Sequence, residues 1–283
     1  MPKDSQVTQP ARAGRAQVLS LTLDPSTLSV PVGGALVVWC PSLEHDVAVA
    51  VSPVAERERV ARLRRPEDRA RSLTGAWLLR QVAAAALGVD PAQVAIDRAC
   101  DCGRQHGRPH VTAAPGYRAD GGSPDRAVDL SLTHAGSVVG VACALRGRVG
   151  LDVEPRAAFD SERAGEVLDT AATPEEQARA RSEPDVALAA GRLWVRKEAV
   201  LKATGHGLTQ DPRTLSLDPV SGDLTGWPFP EPVTSVHVRD VDPDSAHLGA
   251  LALIEPVGTL RSPTEARRAA PLVRVLRVLP DIG

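Results

Sequence analysis

The chain has 283 residues, with 33 Lys+Arg against 35 Asp+Glu and a formal net charge of -2. It therefore has no surplus of positive charge for nucleic acid or an anionic membrane surface. A content of 43% hydrophobic and 24% charged residues is that of a globular protein able to bury one large or two ordinary cores, which excludes disordered and fibrous classes. The N-terminus, MPKDSQVTQPARAGRAQ, has no apolar h-region, and no run approaches the ~18 apolar residues of a membrane span. A soluble cytoplasmic protein is expected.

In chain order, residues 1–16 read as a flexible tail, and Val18–Leu23 and Ala35–Trp39 as strands. A helix runs from Pro66 to Leu87, with proline at its start and Gly88 at its end. A strand near Val94–Asp97 leads into a loop rich in Gly, Asp and Pro from Ala99 to Arg126. Strands Val128–Thr133, Val138–Leu145 and Arg148–Glu154 follow. Thr173-Pro174-Glu175-Glu176 is a capping box that starts a helix, and a second helix runs from Pro184 to Thr204, ending at Gly205. Strands near Thr214–Leu217, Thr234–Arg239 and His247–Ile254 complete the set. No element is assigned to 263–283.

WLLRQVAAAALG, from Trp77 to Gly88, aligns with WVRKEAVLKATG, from Trp194 to Gly205. Both stretches follow a proline-acid start and precede Asp-Pro and a short strand, which points to an internal duplication. In this alignment Glu198 falls on Gln81 and Lys202 on Ala85, so only the second copy carries charged equipment. An α+β fold of two similar lobes, 17–145 and 146–262, is expected.

Four cysteines without a secretion signal argue against a disulfide framework. Cys100, Cys102, His106 and His110 could ligate zinc, but C-x-C is tighter than the usual spacing, and a loop with reduced thiols is the expected reading. In Val149–Glu154 the apolar residues alternate with the others, so Asp152 and Glu154 share a strand face about 7 Å apart. They can share a hard cation such as Mg²⁺, or form a solvated strand face.

Trp194, Glu198 and Lys202 stand at i, i+4 and i+8 and line one helix face. Lysine occurs only at Lys3, Lys197 and Lys202; arginine would serve for an ordinary surface pair, whereas a lysine is a compact charge that can reach one phosphate oxygen. Ser131 and Thr133 face away from Leu130 and Leu132, with His134 at the strand end. Arg108 stands in the stiffened Gly107-Arg108-Pro109 loop, and Arg59, Arg71 and Ser72 lie on or beside the first long helix. These basic groups suit a phosphate-rich ligand, though solvated arginines are the default in such a chain. No P-loop, G-x-G-x-x-G, HExxH or G-x-S-x-G occurs, which weighs against common nucleotide, hydride, metalloprotease and hydrolase chemistries.

Taken in order, GRP, LSLTHAG, GLDVE and WVRKEAVLKATGHGL resemble the 4′-phosphopantetheinyl transferases, in particular their longer, pseudo-dimeric type. The resemblance implies two similar lobes with coenzyme A bound in the cleft between them. It implies that Asp152, Glu154 and Glu198 hold Mg²⁺ against the coenzyme's pyrophosphate, that Lys202 contacts that pyrophosphate, and that Glu198 is the base for a serine hydroxyl of an apo acyl or peptidyl carrier protein. Arg108, His134 and Arg71 would bind the nucleotide's phosphates, with Arg59, Ser72 and Thr133 around them. The family's GKP appears here as GRP, and its serine as Thr133. A Mg²⁺-dependent phosphoesterase would need the same carboxylates but no carrier protein. A duplicated chain can complete its site within a monomer.

Overall fold

The computed structural model describes residues 23–100, 105–116, 128–230, 232–256 and 271–279. The tail expected over 1–16 and the strand expected over Val18–Leu23, save its last residue, lie outside them.

Strand β1 (Ala35–Pro41) reads ALVVWCP, and its first six residues are all buried. Apolar character at every position, instead of every second one, belongs to a strand covered on both faces. Helices α1 (His45–Ala50) and α2 (Val54–Val60) lead to α3 (Pro66–Leu87), which carries proline in its first turn and stops at Gly88 in the left-handed region at φ 69°. Strands β2 (Ala95–Ala99) and β3 (Gln105–Ala113) form a separate antiparallel pair. The sequence reading made residues 105–113 part of a loop because of Gly107 and Pro109. In fact a Cβ on Gly107 would lie 2.5 Å from the Ala99 carbonyl oxygen, so the glycine is what lets the two strands close.

Strands β4 (Asp129–Ala135) and β5 (Val138–Ala144) form a hairpin, and β5 pairs antiparallel with β1. Strand β6 (Arg148–Pro155) opens the second half. Helices α4 (Ser161–Ala171) and α5 (Pro174–Arg181) follow, the latter with the expected capping box: Thr173 accepts from the Glu176 N–H and Glu176 from the Thr173 N–H. Helix α6 (Val186–Thr204) begins two residues later than Pro184 because Asp185 caps it, accepting from the Leu188 N–H at 2.9 Å. Short strands β7 (Ser216–Leu217) and β8 (Leu224–Gly226) pair with each other, and β9 (Val233–Asp240) and β10 (His247–Pro256) pair with each other in the order β6-β10-β9. The last described strand, β11 (Val273–Arg277), falls within the extension to which the sequence assigned no element. It returns to the first half and lies parallel to β1, giving the order β11-β1-β5-β4.

Three apolar clusters show the layering. Leu36, Val38 and Cys40 of β1 and Val139, Val141 and Cys143 of β5 pack against Leu73, Trp77 and Leu78 of α3. Ala250, Ala252 and Ile254 of β10 pack against Leu193, Val200 and Leu201 of α6. The opposite parities, Ala35, Val37 and Trp39 with Val149, Leu151, Val153, Leu251 and Leu253, meet in a third cluster between the two sheets. The result is an α+β fold of two lobes with a helix outside each sheet. Among the described residues no helix is long and apolar enough to cross a membrane.

Candidate active site in the seam between the lobes

Strands β4 and β6 run beside each other where the two sheets meet, and the alternating polar residues of β4 meet the backbone of β6. Asp129 accepts from the Val149 N–H at 2.6 Å, and Ser131 Oγ accepts from the Leu151 N–H at 3.0 Å. Thr133, next on that face, lies 3.4 Å from Asp152 Oδ1 through its Oγ1. The polar side of LSLTHAG is thus an edge-to-edge joint, with β4 side chains satisfying the amides of a strand edge.

On β6, Val149, Leu151 and Val153 turn into the core between the sheets, so Gly150, Asp152 and Glu154 face the other way, toward α6. A Cβ at Gly150 would lie 1.9 Å from the Ala199 carbonyl oxygen and 2.5 Å from the Ala203 nitrogen. The glycine therefore lets α6 lie directly on the strand, and that contact brings Glu198 and Lys202 beside Asp152. Lys202 Nζ donates to Asp152 Oδ1 at 2.6 Å, to the Leu151 carbonyl at 3.2 Å and to Thr133 Oγ1 at 3.3 Å.

A cavity of about 300 Å³ is lined by Thr133, His134, Asp152, Glu154, Trp194, Glu198 and Lys202, together with Arg98 and Leu132. A larger cavity of about 640 Å³ shares Arg98, Leu132, Glu198 and Lys202 with it and extends past Cys100, Arg108, Pro109 and His206. Asp152 and Glu154 from one strand and Glu198 and Lys202 from one helix thus line the same cavity.

Two carboxylate oxygens in the site, Asp152 Oδ2 and Glu198 Oε1, are buried with no hydrogen-bond partner among the described residues. Burial first, then repulsion from Asp152, push the Glu198 carboxyl up to about 7, with Lys202 pulling the other way. Burial and Asp152 likewise raise Glu154. Among the described residues no three His, Cys, Asp or Glu side chains are drawn together closely enough to ligate a metal ion as they stand; Lys202 is the counter-charge on Asp152. The donor set nevertheless fits a hard cation, which takes unpartnered carboxylate oxygens and relieves the repulsion among them.

The expected phosphate ligands divide into two groups. Arg59 donates to Ser72 Oγ at 2.9 Å and to Glu56 at 2.8 Å, so these two predicted residues do meet. Arg71 pairs with Asp68 and donates to the Gly136 carbonyl at 2.7 Å, in the turn after His134. His134 keeps an accessible edge, yet desolvation of the rest of its ring and, further down, the positive Arg71, Lys202 and Arg98 hold the imidazole below its usual range. Arg108 differs from these. It sits on β3 instead of in a loop, and its guanidinium is turned into the protein, onto Asp129 and three backbone carbonyls.

Two participants were not anticipated. Arg98 lines both cavities; nothing in the sequence separates it from the many solvated arginines. His206 stacks on Phe229 with ring centroids 4.9 Å apart, and Trp227 meets the same phenylalanine edge-on at 4.8 Å. Three of few aromatic-type rings gathered behind a Gly-His-Gly turn were a signal that could have been followed. The possible zinc set falls partly outside the described residues, since Cys102 is not among them and no side-chain placement is described for His106.

The chain was compared with known proteins. Residues 37–146 match the family profile described as "4'-phosphopantetheinyl transferase, N-terminal", and residues 148–227 match that of the "4'-phosphopantetheinyl transferase superfamily". A protein of Thraustochytrium sp. named "Phosphopantetheinyl transferase" is 31% identical over 185 residues, 60% of this chain and 58% of that one. The Bacillus subtilis protein named "4'-phosphopantetheinyl transferase" is 23% identical over 214 residues, covering 75% of this chain and 87% of its own. An Escherichia coli K12 protein, "Uncharacterized protein YieE", is 35% identical over 98 residues, 34% of this chain and 39% of its own. The match thus spans somewhat more than half of the Thraustochytrium protein and well under half of YieE. The two profiles adjoin at the boundary between the sheets and between them take in both cavities, so the chain belongs to the 4′-phosphopantetheinyl transferase superfamily, in its longer, two-lobed type.

Proposed function

We propose that this protein transfers the 4′-phosphopantetheine group of coenzyme A to a serine hydroxyl of an apo acyl or peptidyl carrier protein, releasing 3′,5′-ADP. The observation that carries this reading is the pair of buried, unpartnered oxygens, Asp152 Oδ2 and Glu198 Oε1, on a cavity that also presents Lys202 and His134.

Asp152, Glu154 and Glu198 would hold Mg²⁺, which supplies charge neutralisation of the pyrophosphate when bound. Lys202 is held by Asp152 at 2.6 Å and by two longer contacts to the Leu151 carbonyl and Thr133; by exchanging one of the longer contacts it can donate to a phosphate oxygen of the departing ADP and stabilise the charge that develops there. Glu198, which lines the same cavity, accepts the serine proton directly or through water as the hydroxyl attacks phosphorus and 3′,5′-ADP departs. His134, on the cavity, and Arg71, which holds the turn after it, bind the nucleotide phosphates; Arg59 and Ser72, joined to each other, support Arg71 from outside the two cavities, and Thr133 orients Lys202. A phosphate near His134 favours the imidazolium, against the desolvation that now opposes it.

The test is the mass of an apo carrier protein incubated with coenzyme A and Mg²⁺. The wild-type protein adds a phosphopantetheine arm, and Asp152→Ala or Glu198→Ala abolishes the addition. Wild-type turnover in either variant would remove the mechanism. Release of 3′,5′-ADP without any carrier protein would mark a phosphoesterase instead.

A further inference from the structure

Arg108 belongs to β3 in the first half of the chain, but its guanidinium reaches the last turn of α6 in the second. It donates to the Lys202 carbonyl, to the Ala203 carbonyl at 3.0 Å and to the Val149 carbonyl at 3.1 Å, and it pairs with Asp129. Asp129 in turn accepts from the Val149 N–H, so one ion pair grips β3, β4, β6 and α6. Helix C-termini leave four carbonyls without an intrahelical partner. In α6 all four are accounted for: Leu201 by Thr204 Oγ1 at 2.8 Å, Lys202 by the Gly205 N–H at 3.2 Å and by Arg108, Ala203 by Arg108, and Thr204 by Arg148 at 3.1 Å. A cation at this end is also where the helix dipole favours it.

Arg108 is aimed inward by its neighbours. Gly107 leaves no room for a side chain against Ala99, and Pro109 is buried. Both fix the backbone from which the arginine projects.

We propose that Arg108 is a positioning residue: by holding the carbonyls of Lys202 and Ala203 against β4 and β6 it sets where the Lys202 ammonium and, one turn earlier, the Glu198 carboxylate stand in the cavity, and it does not serve as a ligand for the nucleotide phosphates. Four acceptors already surround a group with five N–H donors, and the geometry needs the planar fork of arginine, since lysine would span one carbonyl at a time. The kinetic part of the inference rests on the transferase reading given above; the structural part does not.

The full-length protein and its Arg108→Gln, Arg108→Lys and Asp129→Asn variants are to be compared by carrier-protein modification over a range of coenzyme A concentrations, and by amide hydrogen exchange of the segment 199–207. The expected result for Arg108→Gln is faster exchange in that segment, a fall of about a hundredfold in kcat, and a KM for coenzyme A within about threefold of wild type. Arg108→Lys falls between the two. Asp129→Asn shifts both readings the same way, whereas a phosphate-binding Arg108, freed from its carboxylate, would lower the KM. Unchanged exchange overturns the proposal whatever the kinetics, as does faster exchange with undiminished kcat, or a tenfold rise in KM with kcat kept. If Arg108→Gln does not fold, Asp129→Asn decides by the same readings. A wild-type protein that modifies no carrier would sink the transferase reading and leave the exchange result to judge the clamp.

Discussion

Lys197 and Lys202 stand five positions apart on α6 and serve different ends. Lys197 is 1% exposed. Its Nζ donates to Glu176 at 2.6 Å, to the Ala171 carbonyl at 2.8 Å and to the Pro212 carbonyl at 3.0 Å, so its three N–H donors meet three acceptors. A guanidinium would bring five donors to a site that offers three, which is why a chain otherwise built on arginine keeps a lysine here. Both lysines were conspicuous in the sequence. The i, i+4, i+8 spacing put Lys202 on the face of Glu198, but nothing marked Lys197 as a buried tie, because that depends on which neighbours α6 meets. At Glu198 the site carries a cost. Its carboxyl is raised from 4.5 to about 7, so the native state favours the protonated form. That preference stabilises the metal-free fold at low pH and is lost as pH rises through 7. Glu198→Gln should therefore remove this loss, leaving the metal-free protein more stable than wild type by on the order of 3 kcal/mol at pH 8 and nearly equal at pH 4. Thermal unfolding in EDTA at the two pH values checks it; an equal deficit at both would contradict the assignment.

The contact of β6 with α6 is the element on which the site depends. Asp152 and Glu154 were legible as one strand face, and Glu198 and Lys202 as one helix face. What the sequence did not show is that Gly150 brings the two faces together, since a glycine between valine and leucine looks like a weak strand position. Gly150→Ala would place a methyl group 1.9 Å from the Ala199 oxygen, and backbone cannot yield as a flexible side chain does. The helix must lift. We expect a loss of about 1–3 kcal/mol in urea unfolding and a fall in kcat that persists at temperatures where the variant is fully folded. Native turnover in a folded Gly150→Ala protein would mean the close approach is incidental. In the first half the equivalent of Glu198 is Gln81, which is buried and accepts from the Leu23 N–H at 3.2 Å. The duplicated helix there uses its central polar residue to hold chain, not ligand. The error over 105–113 has a related cause: glycine and proline read locally as a break, but their effect here is to let two strands close and to aim one arginine.

At the scale of the molecule, the two halves are joined by an apolar face rather than a linker. Trp39 of β1 donates through Nε1 to the Val241 carbonyl at 3.0 Å, and its ring fills the space that a side chain on Gly140 would need. Two similar lobes could be read from the aligned helices. The return of β11 could not, because a five-residue strand following a stretch rich in proline and charge has too little pattern to declare its partner. Its place beside β1, with Ala35 opposite Val273 and Trp39 opposite Arg277, has a consequence for how the protein is made. During synthesis the first sheet can form β1, β5 and β4 early, yet the outer edge of β1 stays bare until residues beyond 270 have left the ribosome. Until then that edge of β1 lacks the strand that covers it and presents unpaired backbone groups to any other extended chain. A fragment ending at residue 146 should accordingly aggregate, and a synthetic peptide of residues 271–279 should keep it in solution; a monomeric fragment on gel filtration without the peptide would show that the edge is guarded by other means. Completion of the first sheet thus waits on a strand more than 230 positions further along the chain than the one it covers.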